Sequence, residues 1–171
     1  LVKGITFPKI PPNKEFKNSD FVSIDKVENA FFTIEKVRDK KKNLFYETKI
    51  KEEYSEDVEL IKMFSTQIQV LLKVDHPAFN CLHGVVNSPS KILFNSSAKS
   101  IHEIFPLEER PPSFLTRYVP NGSILNNCSH LTITEKFNLL YGLAAGMYYL
   151  HKNGMAHLNL KPENILLSID D

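Results

Sequence analysis

The stretch that decides the fold runs Gly142-Leu143-Ala144-Ala145-Gly146-Met147-Tyr148-Tyr149-Leu150-His151 and resumes as His157-Leu158-Asn159-Leu160-Lys161-Pro162-Glu163-Asn164-Ile165-Leu166-Leu167. The first piece reads as the end of an amphipathic helix. The second reads as a rigid polar loop running into a short apolar strand. Lys161 and Asn164 lie in one turn, Pro162 stiffens the path between them, and Ile165 to Leu167 anchor it. A cation and an amide carbonyl held that close suit a phosphate and its metal ion.

Working upstream, Thr132 and Glu135 have capping-box spacing and open the long helix. Ile133, Phe137, Leu140, Ala144 and Met147 form its apolar stripe, and Gly142 and Gly146 permit close packing of its backbone. Before it, Phe114 to Val119 reads as a strand stopped by the turn Pro120-Asn121-Gly122-Ser123. Residues 87–112 are rich in Ser, Lys and Pro and read as a surface insertion, with a short apolar piece, Lys91 to Phe94, able to pair as a strand. Further back, Phe21 to Val27, Ala30 to Val37, Leu44 to Ile50 and Asn80 to Val86 read as strands, with turns near Glu28-Asn29 and over Arg38 to Asn43. A helix is expected from about Glu56 to Val74, capped by Ser55, with Leu60, Phe64, Ile68 and Leu71 inward and Gln67 on or beside that stripe. Residues 1–20, with prolines at 8, 11 and 12, read as an extended, weakly ordered lead-in.

The chain has 171 residues and a net charge of +1, which argues against a nucleic-acid or acidic-membrane partner. Cys81 and Cys128 match no metal spacing and read as reduced thiols of a cytoplasmic protein. No apolar run is long enough to span a bilayer and no signal peptide is visible. The opening Leu1 and the closing Asp170-Asp171, just after a strand, suggest a piece of a longer protein.

The stretch His157 to Asn164 closely resembles the catalytic loop of the protein kinase superfamily, H-R-D-L-K-x-x-N. His157, Leu160, Lys161 and Asn164 fall at the family's spacing. Leu158 stands where the family has Arg, and Asn159 where it has the base Asp. The resemblance covers roughly Phe21 to Leu167 and is strongest from Phe114 onward. The hinge-like Tyr118-Val119-Pro120-Asn121-Gly122-Ser123 and the helix-loop wording most resemble the tyrosine-kinase-like branch. The implied fold is α+β: a five-stranded antiparallel N-lobe with one long helix, over residues 21–119 with the hinge strand, then the start of a helical C-lobe over 120–171.

The resemblance also implies site residues, ATP and magnesium. The Gly-rich loop needs glycine so that backbone N–H groups can approach the phosphates. Here Val27, Asn29 and Phe32 stand at the glycine positions and Ile34 at the following valine, and no glycine occurs between Gly4 and Gly84. The third-strand lysine best matches Lys49; strand alternation turns Lys51 to the same face, so spacing leaves both open. Its helix partner, a glutamate in the family, corresponds to Gln67, which keeps a hydrogen bond but loses the ion pair. Thr116 looks like the residue guarding the back of the nucleotide pocket. Backbone groups of Arg117 and Val119 would meet the adenine edge, with Leu166, Val27 and Ile34 around the purine. Asn164 can offer an amide oxygen to magnesium and Lys161 can face a phosphate, or both simply preserve the loop.

Asn159 is isosteric with Asp but takes no proton, and a general base contributes typically ~10²–10⁴-fold. Leu158 removes the arginine that pairs with a phosphorylated activation loop in the family. The resemblance therefore points first to a pseudokinase with weak or no phosphotransfer, acting on a protein partner as a binding or allosteric module. The alternative is a divergent active Ser/Thr kinase with a protein substrate. A third reading is a decaying gene product without a biochemical role.

Overall fold

The structure is a computed structural model that describes residues 3–5, 8–55, 57–87, 92–94 and 112–168. The chain divides into two compact units, Leu1–Val74 with Cys81–Tyr118, and Asp75–Asn80 with Val119–Asp171. Most of the expected 87–112 insertion lies outside the described residues.

The first unit carries β1 (Lys3–Ile5), β2 (Glu15–Phe16), β3 (Phe21–Glu28), β4 (Phe32–Asp39), β5 (Leu44–Ile50), helix α1 (Val58–Lys73), β6 (Leu82–Val86), β7 (Ile92–Phe94) and β8 (Ser113–Arg117). Among the described residues, six strands form one sheet in the order β2-β6-β8-β5-β4-β3, and β1 pairs with β7. The α+β fold is the one expected, but the sheet has six strands rather than five. It is also mixed, because β2 runs parallel to β6.

The turns form where side chains can stand in for backbone acceptors. The Asn29 side-chain amide oxygen, Oδ1, accepts from the N–H groups of Phe31 (3.0 Å) and Phe32 (2.8 Å), which closes the β3–β4 hairpin without glycine. The Asp39 carboxylate accepts from the Asn43 N–H at 2.8 Å and closes the β4–β5 turn. Helix α1 is capped by Asp57, which accepts from the N–H groups of Glu59 and Leu60, both at 3.0 Å. Ser55, the expected cap, instead closes a preceding 3₁₀ turn by donating to the Glu52 carbonyl at 2.6 Å.

Alternation along the strands gives the sheet two distinct faces. On one, Ile50, Leu82, Val85 and Phe114 pack with Leu60, Ile61, Phe64 and Ile68 of α1. On the other, Val37, Phe45, Val86 and Leu115 pack with Phe16 and Phe21. The lead-in is part of this fold rather than a loose extension. Ile10 is buried in the α1-side cluster, Lys14 Nζ donates to the Leu82 carbonyl at 3.0 Å, and Phe16 lies over Gly84. A Cβ at Gly84 would come within 2.2 Å of the Phe16 ring, so this close approach requires glycine.

The second unit contains α2 (Ile124–Asn127) and α3 (Ile133–Lys152). The Thr132 capping box forms as expected: Thr132 Oγ1 accepts from the Glu135 N–H, while the Glu135 carboxylate accepts from the Thr132 N–H at 2.7 Å. Gly146 packs against Ala78 and Phe79, whereas Gly142 meets nothing within 4 Å. The expected apolar stripe is mostly uncovered, with Ile133, Phe137 and Leu140 exposed and Leu150 buried.

Candidate functional site

In the second unit, the loop after α3 is organised by backbone contacts. His157 stacks near Phe79, with ring centroids 6.5 Å apart, and its Nδ1 accepts from the Asn159 N–H at 3.3 Å. Leu158 is 94% exposed and holds φ at +58°, the left-handed region that non-glycine residues rarely occupy. Pro162 starts a 3₁₀ turn through Asn164, and the Asn164 N–H donates to the Lys161 carbonyl at 2.9 Å. Asn164 Nδ2 donates to the Asn159 carbonyl at 2.8 Å, which leaves Oδ1 as its remaining polar atom. The segment then pairs with the chain leading into α2. Ser123 bridges Leu166, the Ile124 N–H donates to the Ile165 carbonyl at 2.8 Å, and the Leu167 N–H donates to the Gly122 carbonyl at 2.9 Å. The structure thus brings Asn159, Lys161 and Asn164 into one exposed turn, with Leu166 half-buried beside it.

The sheet of the first unit is decided by register. Val27 pairs with Ile34, Ile34 with Thr48, and Thr48 with Phe114, so these four residues form one row on the face that α1 covers. The neighbouring rung on one side holds Phe32 and Ile50, and on the other Lys36, Tyr46 and Thr116. Lys36 Nζ lies 4.1 Å from the centre of the Tyr118 ring. Arg117 is exposed at the end of β8, and Val119, the first residue of the second unit's main segment, is buried.

Lys49 lies on the opposite face, in line with Thr33. Its Nζ sits 2.9 Å from Glu35 and 3.7 Å from Glu47, whose side chain is only 5% exposed. Ser113 Oγ donates to the other oxygen of Glu47. Burial pushes the Glu35 carboxyl up, but hydrogen bonds from Lys49 and Ser23 outweigh it and hold the group below the usual range. Lys51 shares that face and sits 3.5 Å from Glu28. Gln67 is exposed on α1 rather than turned into the buried stripe, which runs through Leu60, Ile61, Phe64, Ser65 and Ile68. The structure therefore does not bring Lys49 and Gln67 together.

The residues that spacing missed are Glu35 and Glu47, which hold Lys49, Ser113, which donates to Glu47, and Ile50, which occupies the α1 side. Their signal was weak, since both faces of β5 carry an apolar residue, Phe45 on one and Ile50 on the other.

Toward ATP and magnesium, the described residues offer few donors. Among the described residues, no group of three or more His, Cys, Asp and Glu can hold a metal. The loop offers one amide oxygen and the exposed Lys161, and the lysines of β5 are engaged by carboxylates on the far face.

The sequence profile of the protein kinase domain matches residues 30–171. The chain belongs to the protein kinase superfamily. It is 28% identical over 109 residues to ephrin type-A receptor 5 of Rattus norvegicus, covering 61% of this chain and 9% of that protein. It is 27% identical over 121 residues to an Aurora kinase of Debaryomyces hansenii, covering 67% of this chain and 24% of that one. A probable LRR receptor-like serine/threonine-protein kinase of Arabidopsis thaliana is 38% identical over 63 residues, covering 31% of this chain and 8% of that protein. The chain thus spans less than a quarter of the length of these relatives. Among the described residues no helix is long and apolar enough to cross a membrane.

Proposed function

We propose that this domain is a pseudokinase: a protein-kinase fold with weak or no phosphotransfer that acts on a protein partner as a binding or allosteric module. The observation that carries the reading is Asn159 at the position of the family's base. Its amide accepts no proton, and its backbone is tied to His157 and Asn164 in a turn that keeps its form without a carboxylate. Support comes from Leu158 in place of the arginine, from an α1 whose Gln67 is solvent-facing, and from a β3–β4 hairpin without glycine. The tyrosine-kinase-like branch and a cytoplasmic location belong to the same proposal.

The second reading, a divergent active Ser/Thr kinase, is favoured by Lys161 and Asn164, which share the turn at the family's spacing. Transfer of labelled γ-phosphate from magnesium ATP to a generic protein acceptor by the full-length protein separates the two. Incorporation equal to that without enzyme is expected. Enzyme-dependent incorporation that disappears in Lys161→Ala would establish the active kinase instead.

A further inference from the structure

In the protein kinase family the third-strand lysine pairs with a glutamate of the helix packed on the sheet, and it holds the nucleotide phosphates. Both roles require that lysine to project on the face the helix covers. In this chain α1 covers the face carrying Ile50, Phe114, Val85 and Leu82. The β5 residues on that face are Tyr46, Thr48 and Ile50, because Thr48 pairs with Phe114 and Tyr46 with Thr116. Lys49 and Lys51 point the other way, and both have carboxylate neighbours there.

We infer that Ile50, not Lys49, occupies the position from which this strand would meet a nucleotide, so that any nucleotide the domain holds is held by its base and gains nothing from its phosphates. This rests on the reading that the domain keeps a nucleotide-facing sheet but has lost phosphotransfer. Val27, Ile34, Thr48 and Thr116 present aliphatic carbon and two hydroxyls, which suit a flat, uncharged heteroaromatic ring. The β4 cations on that face, Lys36 and Arg38, both lie on the Thr116 side of the Thr48 rung, away from Ile50, and Lys36 is set over the Tyr118 ring. The Ile50 side chain is buried among Phe64 and Phe114, which leaves that rung apolar. A triphosphate brought to it would lose hydration without gaining an ion pair.

The test is calorimetric titration of the full-length protein with adenosine and with ATP, each with magnesium, for the wild type and Lys49→Ala. Adenosine is expected to bind, with ATP within about threefold of it in both proteins, since a charge-assisted contact to phosphate would give a larger margin. A preference for ATP of about tenfold or more overturns the inference, and its loss in Lys49→Ala would return the phosphate role to that lysine. Failure of adenosine to bind overturns it as well. An ATP preference without phosphate transfer would sink this inference and leave the pseudokinase reading standing. Phosphate transfer would sink that reading.

Discussion

Lys49 and Ile50 are neighbours that face opposite ways, and this parity separates a phosphate-binding lysine from a structural one. Lys49 lies between Glu35 and the nearly buried Glu47. Lys49→Ala leaves both carboxylates without their cation and is expected to cost about 1–3 kcal/mol in urea unfolding. A loss within error would show the cluster to be incidental. The Glu35 carboxyl titrates lower folded than unfolded, so its pairing adds stability above the unfolded pKa and loses it as pH falls through the folded one. Acid below the ordinary glutamate range should therefore weaken the wild type more than Glu35→Gln, as read from unfolding midpoints across pH. Equal acid sensitivity would contradict the pairing. The shared face of Lys49 and Lys51 was legible from alternation. Which face that was depended on the partner α1 chose, information that lies in Phe64 and Phe114 rather than in β5.

At the scale of elements, the caps were readable where chemistry is local. Thr132 and Glu135 form their box because both partners lie within one turn. The α1 cap slipped from Ser55 to Asp57 because Ser55 is held in helical conformation by the 3₁₀ turn before it. Asp57→Ala should cost about 1 kcal/mol of stability, and Ser55→Ala should leave α1 intact in a comparison of helical circular dichroism and thermal midpoints. Equal losses would return the cap to Ser55. The two-residue β2 had no period to detect, and its place is fixed by Phe16 over Gly84. Gly84→Ala forces the Phe16 ring aside and is expected to destabilise by about 1–3 kcal/mol. Phe16→Ala in the same background should recover part of that loss, and strict additivity would argue against the contact.

At the scale of the whole molecule, the kinase elements are shared between two units: the sheet row on the first, the loop with Asn159, Lys161 and Asn164 on the second. The order of strands, helix and loop was legible because hydrophobic spacing and the His157 to Asn164 pattern both survive. The mixed sheet was not, because its extra strand comes from a proline-rich segment. Ile133, Phe137 and Leu140 on α3 are 71, 66 and 60% exposed, a contiguous apolar stripe. The 171-residue chain by itself is expected to self-associate as its concentration rises, read by sedimentation velocity; a monomer throughout would contradict an uncovered stripe.

The proposed loss of phosphotransfer rests on more than one residue, the amide at position 159 and an isoleucine on the sheet face that α1 covers. Its most direct test is γ-phosphate transfer by the full-length wild type and Asn159→Asp side by side, under saturating magnesium ATP. Neither protein is expected to incorporate label above the enzyme-free control, because a restored carboxylate still has no phosphate held against it. Robust incorporation by the wild type would contradict this reading of the domain.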